Sequence, residues 1–572
     1  MAVSDTHGGG SLGRCNGSSV SLDIKAGSNG SGTPVDATDL ALSINCSASQ
    51  SGTAVADADQ PNQLLSGAKL AMAIVSLDIL MFIAALDSTI VATTYVPIGN
   101  QLDAQDSAEW IITSYLITVT AFQPLYGSIS DLLGRVEAIV FAILVFLVGS
   151  VLCAVSTTLP MLIAARAVQG IGGAGLISLA LIVIADIMNK RQRGKYVGIF
   201  TGTYGIASAI APLVGGAIVQ NAKWTIIFWI NIPFCVVALV MVVALLRIPR
   251  PRGALRDKIV RIDFGGALLS TAGIVLLLLG LAWGGREYEW SAPQVMWMLV
   301  FGGVVLALFV LYEWRVAVVP IVPLRLFRVQ NVVFACVCST LFGFTINGAV
   351  IFIPQWAQVV RRASPIVSGA YLVPYCVGMI VTSVVAGLLL TRFGRCRETI
   401  IAGAATMLLG NGLLISLGAD GSLGKIIGFL LVSGLGVGAC VQTITLIAQA
   451  AVAGSDMAAA TTTIMFFRSF GMMLSVSVMT NIIQNVLHAR VTDIIAAFPP
   501  QAAAIASTLK DQTLLYSSGI PAKVIALFIA GYSDALRASF IALTAVTALY
   551  FVLAFGFRHI ELKTALKKMI DA

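Results

Sequence analysis

Charge is scarce in this chain: Asp, Glu, Lys and Arg make up 11% of its 572 residues, and histidine occurs only at His7, His488 and His559. No histidine lies in an apolar stretch, which argues against imidazole ligation of a metal or an imidazole proton relay in a buried site. The nine cysteines show neither metal-ligand spacing nor a disulfide framework. Cys153, Cys235, Cys336, Cys338, Cys376 and Cys440 sit in or beside apolar runs, where thiols pack as small core residues. A phosphate-binding loop of the G-x-x-x-x-G-K-[ST] kind is missing, so no ATP-driven step is expected. Clustered nucleophiles and paired carboxylates on one face are missing too. The sequence therefore implies no cofactor, no metal and no enzymatic centre.

What the chain has is apolar length. Hydrophobic residues make up 58% of it, and mean hydropathy is +0.92, more apolar surface than a soluble core could bury. Apolar runs lie at 70–96, 110–129, 137–156, 160–187, 196–219, 224–246, 264–283, 295–314, 331–356, 367–391, 399–418, 426–452, 459–486 and 538–557. About 20 such residues cross a hydrocarbon core of ~30 Å, and a spanning helix satisfies its own backbone there. The expected fold class is all-α, a polytopic membrane protein of 14 spans.

Residues 1–68 are rich in Gly, Ser, Thr, Ala and Asp and are expected to form a disordered cytoplasmic tail. They lack the basic and apolar regions of a signal peptide, so the first span is the expected insertion signal. Sequons at Asn16, Asn29 and Asn45 are the one feature that would suit a lumenal tail.

Orientation follows from the basic residues. With the amino terminus in the cytoplasm, the inner side holds Lys190, Arg191, Arg193 and Lys195, then Arg247, Arg250, Arg252, Arg256, Lys258 and Arg261. Arg325, Arg328, Arg392, Arg395, Arg397, Lys563, Lys567 and Lys568 fall on the same side. The outer short loops keep only Lys223, Arg286, Arg361, Arg362 and Lys425. This bias places both termini inside. It also accounts for much of the net charge of +8, so the expected partners are lipid and a small solute, with no nucleic acid. A monomer is expected.

One pattern recurs. Gly127, Asp131, Gly134 and Arg135 follow the second span as G-x-x-x-D-x-x-G-R, and Gly387, Thr391, Gly394 and Arg395 keep that spacing after the tenth. Glycines at such helix ends allow a tight turn and close approach, and Asp131 can latch the inner ends. The recurrence divides the chain into a six-helix half at 69–246, a basic loop with two inserted helices at 247–330, and a second six-helix half at 331–558. A long outer loop at 487–537, with room for a short amphipathic helix, lies in the second half, and a cytoplasmic tail at 559–572 follows it.

From about residue 70 to 560 the chain resembles the major facilitator superfamily, in its fourteen-helix drug:proton antiporter branch. LDSTIVATTYVP, Leu86 to Pro97, is similar to the branch's first-helix hallmark, and the Asp131 pattern to the superfamily's gating latch, with Leu132 and Val136 where basic residues are usual. RAVQGIGGA, with Arg166, Gln169, Gly170, Gly172 and Gly173, resembles the fourth-helix motif associated with proton transfer. Gly198, Pro212, Gly215 and Gly216 fit the antiporter signature on span 5, in which Ala207 and Ala211 replace two glycines. Trp224, Phe228, Asn231 and Pro233 resemble the start of span 6, and Asp263 with Gly266 the entry to span 7. The resemblance implies a proton-coupled exporter of drugs, toxins or secondary metabolites at the plasma membrane. Vacuolar transport of basic amino acids, or a sensor or receptor that does not transport, are the alternatives.

Charges inside a bilayer are costly and usually functional. Asp87 and Arg166 are accordingly the expected proton-coupling residues; a permanent pair tethering spans 1 and 4 is the plainer alternative. Burial favours the neutral form of a carboxyl and a nearby guanidinium the charged one, so alternate opening could load and release a proton. Asp78 falls on the opposite face of span 1, nearer its cytoplasmic end. Tyr115, Gln123, Gln169, Asn347, Gln355, Gln442 and Arg468 are the expected substrate-cavity residues, although helix-to-helix hydrogen bonds would also explain such side chains.

Overall fold

The computed structural model describes residues 68–104, 107–188, 193–246, 248, 263–285, 288–317, 320–417, 423–498 and 521–559. The expected tails with their sequons, and nearly all of the basic loop 247–261, lie outside the described residues.

Long helices follow one another, and no strand is present among the described residues. The first half holds α1 (Ala68–Gln101), α2 (Trp110–Leu133), α3 (Arg135–Ala154), α4 (Leu159–Ile187), α5 (Arg193–Asn221) and α6 (Ile226–Leu245). Then come α7 (Phe264–Trp283) and α8 (Pro293–Arg315). The second half holds α9 (Gln330–Val360), α10 (Ile366–Phe393), α11 (Cys396–Leu414), α12 (Leu423–Ala451), α13 (Met457–Ala497) and α14 (Ala522–Ala554). Among the described residues, 12 helices are long and apolar enough to cross a bilayer. The expected count of 14 rests also on α2 and α11, of 24 and 19 residues. These two carry more polar side chains, including Gln123 and Asp131 in α2 and Arg397 and Glu398 in α11.

The glycine repeat marks two helix ends. Gly134 follows α2 with φ 122° and Gly394 follows α10 with φ 69°, conformations that a side chain resists. Asp263 caps α7, its Oδ1 accepting from the Gly266 amide at 2.7 Å.

The last two helices depart from expectation. α13 runs on to Ala497 and α14 begins at Ala522, so much of the expected outer loop 487–537 is helical. The reason is a continued apolar spacing of three and four residues. Leu487, Val491 and Ile494 on α13 and Val524, Phe528 and Tyr532 on α14 are buried in one core. Residues 499–520, where the amphipathic helix was expected, lie outside the described residues.

Each half has its own apolar core. One runs through the second half from Leu326 to Phe557; the first half holds two, one of which Ala458 and Met465 of α13 help to complete. The inserted pair attaches through α7, whose Ile274 and Leu278 pack with Ile117 and Ala121 of α2 and Met473 of α13. α8 is the outermost helix: Trp297 and Trp314 are 60% and 66% exposed, as lipid-facing aromatics are.

The halves meet along two seams, α5 against α10 and α2 against α13. Along α5, a Cβ on Gly194 would lie 3.1 Å from the Gly387 carbonyl and one on Gly216 would lie 2.6 Å from Ile366. The seam stays close between these points, where a Cβ on Gly205 would lie 2.6 Å from Ile380, and a cavity opens beside it, lined by Phe200 and Thr201 of α5 and Met379 of α10.

Candidate functional site

The cavity offers about 940 Å³ of empty space, counting its open side, and draws its walls from both halves. Phe200, Phe342, Met379, Met465 and Met472 make much of the wall apolar, and Ser88, Gln123, Thr201, Thr445 and Ser469 give it polar points.

Tyr115, Gln123 and Arg468 line it as expected from sequence. The other four expected residues are held elsewhere by hydrogen bonds. Gln169 belongs to the cluster around Asp87 described below. Asn347 Nδ2 donates to the Met472 carbonyl at 2.9 Å, tying α9 to α13. Gln355 Nε2 donates to Tyr95 Oη at 3.3 Å, between α9 and α1. Gln442 Nε2 donates to the Ser383 carbonyl at 2.6 Å, in the α10–α12 contact. A mid-span amide has only one way to avoid the cost of an unmet donor in lipid, and these three meet it helix to helix.

Behind the Tyr115 wall lies a sealed ionic cluster. Asp87 of α1 and Arg166 of α4 are each 1% exposed. Arg166 Nη1 donates to Asp87 Oδ2 at 2.6 Å and also to Gln169 Oε1 at 2.6 Å, while its Nε donates to the Ile111 carbonyl at 3.1 Å. The other carboxylate oxygen accepts twice, from Gln169 Nε2 at 2.9 Å and Asn231 Nδ2 at 2.7 Å. Gln169 Nε2 also donates to Ser150 Oγ at 2.9 Å. Buried charges are tolerated when their lone pairs and protons are met in this way. The Arg166 guanidinium lies 4.2 Å from the centre of the Tyr115 ring, a cation–π contact. One ring therefore touches the ion pair and also walls the cavity.

Local sequence makes this cluster possible. A Cβ on Gly149 would collide with the backbone of Gln169, and one on Gly173 with the Tyr115 hydroxyl. The glycines of α3 and α4 thus let three helices close around the pair. Asn231 and Ser150 were not singled out as site residues from sequence. Asn231 had been noted only within the span-6 resemblance, and the one signal at Ser150 is a polar residue within an apolar run.

The second half builds a neutral counterpart on the matching helices α9, α11, α12 and α14. Asn411 Nδ2 donates to Thr547 Oγ1 at 3.0 Å, Ser433 Oγ donates to Asn411 Oδ1 at 2.7 Å, and the Thr345 and Thr547 hydroxyls are 3.3 Å apart. The arrangement repeats across the halves, but the charge does not.

The latch residues gather at the α2–α3 turn. Arg135 Nη1 lies 2.5 Å from Asp131 Oδ1 and its Nε 2.7 Å from Asp186 Oδ2, so one guanidinium ties the ends of α2 and α4. Asp186 was not foreseen. In the second half Thr391 returns its hydroxyl to the Gly387 carbonyl at 2.7 Å. The span-5 signature residues form the α5 seams. Ser383 Oγ donates to the Gly198 carbonyl at 3.1 Å, Pro212 packs on Gly369, and Gly215 faces Ile90 and Thr94 of α1.

The chain is 31% identical to "Efflux pump dotC" of Dothistroma septosporum over 86% of this chain and 83% of that protein. It is 32% identical to "Multidrug transporter protein MdtP" of Bacillus subtilis over 77% of this chain and 81% of the other. In fold it is similar to the crystal structure of a bacterial homolog of the human lysosomal transporter Spinster, with TM-score 0.54 and 14% identity, covering 86% of this chain and 98% of that one. The model of the Major Facilitator Superfamily matches residues 77–476, and the chain belongs to that superfamily.

Proposed function

We propose that this protein is a proton-coupled antiporter that exports organic molecules from the cytosol across the plasma membrane. The observation that carries this reading is the buried Asp87–Arg166 pair beside the cavity, with the Tyr115 ring touching Arg166 and also lining the cavity. Protonation of Asp87 would remove the charge that holds Arg166, Gln169 and Asn231 in place, and a guanidinium released from its partner is free to shift and to draw with it the Tyr115 ring that it attracts. Substrate in the cavity meets the other face of that wall. Proton and substrate can thereby oppose each other without sharing a binding site.

The names of the relatives support outward transport of drug-like or metabolite-like molecules. With all 14 long helices crossing the bilayer, the even number puts both termini on one side, and the basic loops make that side the cytoplasm. One chain supplies both halves of the cavity, which suits a monomer.

The test is proton movement on addition of substrate, measured in proteoliposomes with an imposed pH gradient and a panel of fluorescent organic molecules of either charge. Asp87→Asn should abolish coupled efflux and spare binding, because an amide cannot cycle a proton. Coupling like that of the wild type in this variant would move the proton site elsewhere. No proton movement in the wild type would favour a uniporter or a receptor.

A further inference from the structure

Among the described residues, Arg468 is the only formally charged one on the cavity wall. It sits on α13, where Gly343 of α9 lets the two backbones close at the Arg468 carbonyl. Among the described residues no carboxylate pairs with it, and its Nη2 donates instead to Met465 Sδ at 2.7 Å. Beside it Ser469 Oγ donates to Gln123 Oε1 at 2.9 Å, across the seam between the halves. A guanidinium inside a membrane protein is costly without an anion, and its planar fork suits a carboxylate or another delocalised anion. The first-half cation, Arg166, already has its carboxylate; the second-half one faces open space.

We propose that the cavity takes an amphipathic organic anion, a largely apolar molecule whose single acidic group sits on Arg468. The assignment rests on the cavity being the transport site. Phe200, Phe342 and the methionines would hold the apolar body, and thioethers adapt to varied shapes. A basic amino acid fits poorly, since its cationic side chain would meet Arg468 with no lining carboxylate to receive it. Exchange of an anion going out for a proton coming in moves charge in one direction, so an inside-negative potential would help the export.

The experiment uses the full chain in lipid nanodiscs at pH 7.5, with binding to empty nanodiscs subtracted. The probes are 2-naphthoic acid, 2-naphthamide and 2-naphthylmethylamine, which share a ring system and differ in charge. The acid should bind at least 10-fold more tightly than either of the others. Arg468→Gln should bring the three within 2-fold of each other, while Arg468→Lys should keep part of the preference. Equal binding, preference for the amine, binding of none, or preference for the acid that survives Arg468→Gln would each overturn the proposal. If the glutamine variant does not fold, the wild-type ranking decides alone. Binding is read without a pH gradient, so failure of proton coupling would appear in the flux assay and leave this result standing.

Discussion

At the residue scale, Asp87 is over-determined: Arg166, Gln169 and Asn231 all donate to it. Arg166→Lys keeps the charge but loses the fork that reaches Asp87, Gln169 and the Ile111 carbonyl together. Losing one hydrogen bond to a charged group costs about 1.5–3 kcal/mol, so coupled flux should fall by roughly 10-fold or more while the protein still inserts. Flux per unit of protein measures this. Asn231→Leu keeps the bulk and removes one donor. It should lower the melting temperature in detergent and weaken coupling without abolishing it, and an unchanged value of both would show that Asp87 does not depend on Asn231. The ion pair was legible in the sequence because charge in an apolar run needs a reason. Asn231 was noted only as part of the span-6 resemblance, and its bond to Asp87 was not legible, because that partner lies 144 residues away. The same limit applies to the amides: Gln123 faces the cavity whereas Gln355 and Gln442 do not, and helices that are apolar all round give no periodicity from which to choose.

At the scale of elements, the two halves are held near the α2–α3 turn by a contact that only glycine permits. A Cβ on Gly127 would lie 2.7 Å from Thr462 Oγ1. Gly127→Ala should therefore prop α2 from α13 and slow turnover several-fold, with binding retained, and adding Thr462→Ala should recover it. Non-additivity of the pair in a double-mutant cycle is the check. Asp131→Asn weakens the ties of Arg135 and should slow transport with little loss of folded protein; full activity would mean that Asp186 holds Arg135 alone. Span positions and their order were readable from apolar length, but the extent of α13 and α14 was not. A helix that leaves the bilayer keeps its register by packing on its neighbour, as Arg490 and Asp534, 3.0 Å apart, do between these two. A loop and such a pair have similar composition.

At the scale of the whole molecule, the basic loops predict which side is inside. Tags at the amino terminus and within 247–261 should be reached only after the plasma membrane is permeabilised, and labelling on intact cells would invert the topology. The unequal charge of the two halves bears also on how the protein is made. Arg166 follows Asp87 by 79 residues, so at roughly 5–20 residues per second α1 waits for about 4–16 s before its counter-ion is synthesised. During that interval a bare carboxylate cannot settle into lipid and must be kept near water or the insertion machinery. The buried cluster of the second half is neutral and waits for no counter-ion. Biogenesis is therefore most exposed at its beginning, and loss of Arg166 altogether would be seen first as poor yield and rapid degradation of the nascent amino-terminal half, before any question of transport arises.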